Sequence, residues 1–232
     1  QKRLIREIVL SRTYALSSLQ DATAAARDPD NRLLWRMNRR RLDAESLRDA
    51  VLAATGQLLP SSGGPALALH LQENVGGLDP KDVNPVSFRT SKFPETQHYL
   101  RTIYLPVVRS RAQPGPAELR NLFDFVPPTE MTGQRPSTSV ATQALFLMNS
   151  DFMKSHAAKL ADRLLNDSDT TDRERLMSLY LQTLNRPPQE QECQMAEEFL
   201  ATPRATDPAT HRRAWTSYCH ALLSSNEFLF RL

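Results

Sequence analysis

The sequence predicts a mainly α fold: a helical N-terminal part, a Pro/Gly-rich loop region holding a short strand or hairpin, and a C-terminal up-down helical bundle. Three observations carry this reading. Apolar residues recur at three- and four-residue spacing through both flanks of the chain. All seven glycines lie between Gly56 and Gly133, and eleven of the sixteen prolines between Pro60 and Pro136. The residues that punctuate regular structure are therefore confined to the middle third. Cap signatures precede the later apolar runs, the clearest being Thr171-Asp172-Arg173-Glu174. The expected boundaries are 1–149 for the helical part with its loop-rich middle at 60–136, and 150–232 for the bundle, the whole forming one continuous domain.

Residues 2–15 read as a helix with Leu4, Ile5, Ile8 and Val9 on one face. Asp28-Pro29-Asp30-Asn31 is a turn, because Asx side chains and proline both preset bends. A second helix spans about Asp43 to Thr55: Asp43 can cap it, Leu47, Val51 and Ala54 form its stripe, and Gly56 sits where a left-handed residue ends a helix. Arg101 to Arg109 is the best strand candidate on its β-branched and aromatic content, confined to an edge by Pro106. Pro116-Ala117-Glu118 opens a helix holding Leu119, Leu122 and Phe123. Five further helices follow. They begin near Val140, Ser150, Thr171, Pro188 and Asp207, and the last turns Trp215, Cys219 and Leu222 inward. Their short connections imply antiparallel packing.

The 40% hydrophobic and 24% charged content is that of a folded globular chain. The longest apolar run, Ala144 to Met148, is too short to span a bilayer. A net charge of +3 is too small an excess to indicate nucleic acid. The surplus is uneven: residues 1–60 carry 11 basic against 7 acidic side chains. The N-terminus opens directly into an amphipathic helix, with no signal peptide ahead of it.

No catalytic signature stands out. No Cys-x-x-Cys-His is present for c-type haem, and no His pair has the spacing of a zinc peptidase, so no metal ligand set is assigned. His156 falls on an apolar stripe and reads as a core histidine, while His70 and His98 lie in the irregular middle. Gly63-Gly64 and Gly76-Gly77 lack the spacing of a phosphate loop. The most unusual segment is Arg36 to Asp49, where Arg36, Arg39, Arg40 and Arg41 precede a helix carrying Asp43, Glu45 and Asp49. It reads either as an anion site or as an Arg–carboxylate network in which Arg40 or Arg41 pairs with Glu45 or another nearby carboxylate. Cys193 and Cys219 lie on apolar stripes, equidistant from a loop centre at Thr206, and should come close in the core.

Five ordered blocks carry a resemblance. They are Ile8 to Ser18; Asp30 to Arg36 with Arg40 to Glu45 and Arg48-Asp49; Leu122 to Phe125 with Arg135, Thr138 and Thr142 to Ser150; Leu184 to Pro188; and Cys219 to Phe228. Together they resemble the C-terminal uncharacterised domain of the large secreted cytochrome-like proteins of planctomycetes. The resemblance implies a bacterial, exported protein in which such a domain follows a cytochrome c domain and a second uncharacterised domain. Haem is then expected only in that separate cytochrome domain, with no cofactor in this chain. It also implies that this chain is a fragment of a larger protein, starting inside the domain. Export would allow a disulfide between Cys193 and Cys219 to persist.

The expected role is a non-catalytic helical module of an exported, cytochrome-associated multidomain protein, holding neighbouring domains or a ligand, without nucleic acid and without a membrane span. The alternative is an enzyme acting on an extracellular polymer such as a polysaccharide, with its site in the 60–136 loops. Arg36, Arg40, Glu45, Arg109 and Asp124 are the candidate ligand- or partner-binding residues.

Overall fold

The computed structural model describes residues 1–60, 63, 99–105, 107, 117–126, 129–166, 170–201 and 207–231. The described residues are mainly helical: α1 Lys2–Val9, α2 Ala22–Arg27, α3 Ala44–Ala54, α4 Ala117–Leu122, α5 Ala141–Asn149, α6 Asp151–Leu165, α7 Asp172–Leu184, α8 Glu190–Ala201, α9 Pro208–Leu223 and α10 Asn226–Leu229. Two-residue strands β1, Arg40–Arg41, and β2, Phe230–Arg231, pair antiparallel with Arg40 opposite Arg231 and Arg41 opposite Phe230. The chain forms two compact units, one of Gln1–Leu42 with Leu229–Leu232, the other of Asp43–Phe228.

The first unit is held by polar turns. Asp21 caps α2, and the Asp28 carboxylate accepts from the backbone N–H of Arg32 and Leu33 at 3.0 and 2.8 Å. Trp35 Nε1 donates to the Asp28 carbonyl at 2.9 Å. Asn31, buried and at φ 53°, donates through Nδ2 to the Arg36 carbonyl and to Asn38 Oδ1, both at 2.9 Å. An asparagine tolerates the left-handed region better than most residues and satisfies its neighbours' backbone while there. The turn signal at 28–31 is borne out. Helix α1 stops at Val9, short of the expected Ala15, and gives way to hydrogen-bonded turns in which Ser11 Oγ accepts from Tyr14 N. Leu42 N donates to the Leu229 carbonyl at 2.9 Å, extending the β1–β2 pairing.

The second unit is built around α6. Its spacing of Met153, His156, Ala157, Leu160, Ala161 and Leu164 puts a continuous buried stripe on one face. Among the described residues helix α9 makes the most extensive helix contact, packing Ala214, Trp215, Cys219 and Leu223 along α6. Helices α7 and α8 pack in succession, and α9 touches both α8 and α6, which closes the bundle. On its other sides α6 meets α3 and α5. Leu223, rather than the expected Leu222, takes the last inward position of α9. The caps fall where the sequence puts them: Asp43 for α3, Ser150 for α6, the Thr171–Glu174 capping box for α7 and Asp207 for α9. Gly56 adopts φ 69° after α3, where an added Cβ would meet Arg163.

The strand expected over Arg101 to Arg109 is not formed in its described part. Thr102–Tyr104 is a single 3₁₀ turn, because Thr102 is drawn onto α3 by Asp49, which accepts from its N–H at 2.8 Å and its hydroxyl at 2.7 Å. Side-chain bonding of this kind competes with a ladder. Among the described residues the strand pairing joins residues 40–41 to 230–231, and most of the 60–136 region, where a short strand or hairpin was expected, lies outside them. Arg109, His70, His98 and both expected glycine pairs other than Gly63 lie outside the described residues.

Cys193 and Cys219 are buried free thiols, and burial pushes the Cys219 thiol up to about 12. Ellman's reagent should therefore titrate neither thiol in the native chain and both after denaturation without reductant. No reaction in denaturant would establish a bridge.

His156 is buried, stacks on Phe152 with ring centroids 4.3 Å apart, and donates through Nδ1 to the Phe152 carbonyl at 2.8 Å, so its buried Nε2 has no hydrogen-bond partner. Burial holds its pKa below the usual histidine value, with Lys159 on α6 and Arg48 on α3 adding in the same direction. The unfolded chain takes up this proton first as pH falls. The stability tied to neutral His156 is thus complete above about pH 6.5 and is lost below it. The melting temperature should drop between pH 7 and 5, and the drop should be smaller in His156→Gln.

Candidate functional site

The densest polar constellation surrounds the start of α3. Glu45 sits in its first turn, where a carboxylate favours the helix dipole. Both of its oxygens accept from one guanidinium, Arg135 NH1 at 2.8 Å and NH2 at 2.7 Å, and Asp43 lies 3.9 Å from the same group. This bidentate pair raises the pKa of Arg135 through its hydrogen bonds to Glu45. The Arg135 guanidinium also stands 5.3 Å from the Phe125 ring centre, and that of Arg120 stands 5.1 Å from it, so one aromatic ring serves two cations.

Arg120 and Arg48 are buried, at 1% and 4% relative exposure. Desolvation lowers both pKa values, that of Arg48 to about 10, with Asp49 opposing the shift and Arg120 adding to it. At about 10, the Arg48 guanidinium stays charged near neutrality. Arg48 donates to the Leu100 carbonyl at 2.8 Å and to Thr102 Oγ1 at 3.1 Å. Thr102 passes the interaction on by donating to Asp49, so α3 grips the 99–105 segment through a relay.

Asp124 follows α4 at φ 58°, and its carboxylate accepts from Thr138 N at 2.7 Å and Thr138 Oγ1 at 2.9 Å. Buried Gln143 completes the link. Its Nε2 donates to the Leu122 carbonyl at 2.8 Å and to Thr138 Oγ1 at 3.3 Å. The segment 129–140, which carries Arg135 and Thr138, is thereby pinned to α3 by one residue and to the end of α4 by another.

Two of the sequence-selected residues, Glu45 and Asp124, thus belong to one network. The partner of Glu45 is Arg135, ninety positions away, in place of the expected Arg40 or Arg41. Proximity in sequence suggested the wrong arginines, since the bidentate fork arrives from a different part of the fold. Arg40 lies exposed in β1, and Arg41 NH1 donates to the Leu42 carbonyl at 2.7 Å. The Arg36 guanidinium lies 5.2 Å from the Trp35 ring centre. Arg120, Arg135, Thr138 and Gln143 had no role assigned from sequence. Their signal was the Phe125, Arg135, Thr138 and Gln143 pattern in one ordered block, which spacing alone cannot join.

A second charged knot ties the bundle. Asn185 ends α7 at φ 56°, and Arg186 then binds two carboxylates, Glu192 at 2.7 and 2.8 Å and Glu227 at 2.6 and 2.9 Å, with Tyr180 5.4 Å below it. Glu192 is held below the usual carboxylate range chiefly by Arg186. Among the described residues no group of three His, Cys, Asp or Glu is placed to hold a metal ion, and no helix is long and apolar enough to cross a membrane.

The Glu45–Arg135 pair is between one quarter and two fifths exposed, at 28% and 38% of the side-chain surface. A double-mutant cycle over Glu45→Ala and Arg135→Ala should give a coupling of about 1 kcal/mol that shrinks with added salt. A coupling near zero would make the pair incidental, and one above about 3 kcal/mol would place it in a far drier setting.

No curated protein and no solved structure matches the chain. A family model described as a protein of unknown function, DUF1553 (PSD1), matches residues 1–200. With most of its length matched, the chain belongs to the DUF1553 family of proteins of unknown function.

Proposed function

We propose that the chain is a non-catalytic helical module of an exported, cytochrome-associated multidomain bacterial protein of the planctomycete type, and that it holds neighbouring domains or a ligand. The observation that supports this most is the bidentate Glu45–Arg135 pair. A carboxylate whose two oxygens are both taken by one guanidinium is already engaged, so it is poorly placed to accept a proton from a substrate. Asp124 is likewise committed to Thr138. These groups act as cross-links that fix segment 129–140. The five-block resemblance supplies the context of export and of haem carried by a separate cytochrome domain.

The test is an antibody raised against this chain and applied to fractionated cells of the source organism. The expected band is larger than this chain, lies in an exported fraction and stains for covalent haem. A band no larger than this chain, in the cytosol and without haem, would overturn the reading. So would turnover of a polysaccharide by the chain, lost in Glu45→Gln or Asp124→Asn, which would establish the enzyme instead.

A further inference from the structure

Helix α6 carries His156 and Lys159 on one side, less than a turn apart. Lys159 donates to the Tyr99 hydroxyl at 2.8 Å and to Gln57 Oε1 at 3.2 Å, and its ammonium stands 4.9 Å from the Tyr99 ring centre. Leu59 N donates to the Tyr99 carbonyl at 2.9 Å. One lysine thus joins α6 both to the exit of α3 and to the start of the 99–105 segment. The rest of that segment hangs on Arg48 and Asp49 of α3. The two cations that hold 99–105, Arg48 and Lys159, are also the charges that act on His156.

In neutral His156 the Nδ1 proton is spent on the Phe152 carbonyl, so a further proton must enter at Nε2, which is buried and meets no acceptor. Its surroundings offer that proton no counter-charge. Lys159 on α6 and Arg48 on α3 are both positive. Asp49, 3.7 Å from Arg48, is taken by the N–H and hydroxyl of Thr102 and by Arg101. Helix α5 has no titratable side chain. Helix α9 brings Cys219, a buried neutral thiol, His220, which is engaged at the Leu147 carbonyl, and Arg212, which is paired with Asp162. On α7, Arg175 lies at the Leu164 carbonyl, two turns further along α6.

We propose that His156 is a proton-operated latch: charging its ring drives Lys159 off Tyr99 and opens the 99–105 segment from that end. Three cations in a dry space without a free carboxylate repel one another, and one of them must move. Arg48 is locked, with its side chain 5% exposed and bonded to Leu100 and Thr102. Lys159 is half-buried on a flexible four-carbon stem, so it can carry its ammonium into water. Its departure breaks the Tyr99 and Gln57 bonds together, while Thr102 remains on Asp49. Histidine is the side chain whose charge changes between about pH 5 and 8, which makes the latch respond to mild acid.

The reporter is the Leu59 amide, whose partner is the Tyr99 carbonyl. Its hydrogen exchange is followed by NMR in this chain at about pH 7.5 and 5, corrected for the intrinsic rate. Protection should fall about tenfold at the lower pH and by no more than about thirtyfold, the ceiling set by an ordinary histidine pKa near 6.5 in the open form. Leu59 should exchange faster than the core amides of α9 at both pH values, which marks a local opening. His156→Gln keeps a donor and cannot charge, so its Leu59 protection should not change with pH. Lys159→Met should exchange fast at both. The latch is overturned by an unchanged protection in the unaltered chain or by an equal fall in His156→Gln. Protection of Leu59 equal to that of α9 would assign the proton to global unfolding and overturn it too. So would a full fall in Lys159→Met, which would show that Lys159 is not the cation released.

Discussion

The second unit depends on the burial of one stripe. Helices α3, α5, α7 and α9 all contact α6, whose residues Met153, Ala157, Leu160 and Ala161 have no measurable exposure. Small residues at Ala157 and Ala161 let neighbours approach closely, and large ones at Met153, Leu160 and Leu164 fill the remaining space. Trp215 on α9 is fully buried and its Nε1 still donates to His211 Nε2 at 3.2 Å, so the largest side chain of the bundle carries no unsatisfied polar atom. The apolar area removed here is the main source of stability, and the polar networks act on a framework that this packing has already placed.

The charged residues then divide the labour. Arginine supplies three joints, Arg48 to the 99–105 segment, Arg135 to α3, and Arg186 to α8 and α10, and Lys159 adds a fourth by donating to Gln57 and Tyr99. Arg135 and Arg186 use the planar fork of guanidinium, and both also lean on an aromatic ring. Lysine at these positions would keep the charge and lose the second hydrogen bond. The sequence holds 24 arginines and 5 lysines, and that preference has a structural use at three places in this fold.

The legibility of the sequence follows the range of the interactions. Caps and stripes are local, and Asp43, Ser150, Thr171 and Asp207 start the helices that their residue types announce. The turn at Asp28 to Asn31 was readable for the same reason. Thr102–Tyr104 was misread as strand, because its β-branched and aromatic side chains carry strand propensity while a contact with Asp49, more than fifty residues away, decides its conformation. The candidate site was half legible. Glu45 and Asp124 were among the residues singled out, but their partners Arg135 and Thr138 lie in a segment without periodicity, where no spacing rule relates one residue to another.

The pairing of β1 with β2 bears on how the chain is made. Residues 40–42 find their hydrogen-bond partners at 229–231, and the whole of the second unit lies between them in the order of synthesis. Domains generally fold from the N-terminus as the ribosome releases them, at about 5–20 residues per second. The first unit cannot follow that order. Residues 1–42 leave the ribosome ahead of the second unit, with basic and apolar side chains uncovered, and must wait about ten to forty seconds at that rate for residues 229–231. Closure of this unit therefore waits on the synthesis of the whole second unit, and any chaperone that shields the nascent chain has the longest time to act on residues 1–42.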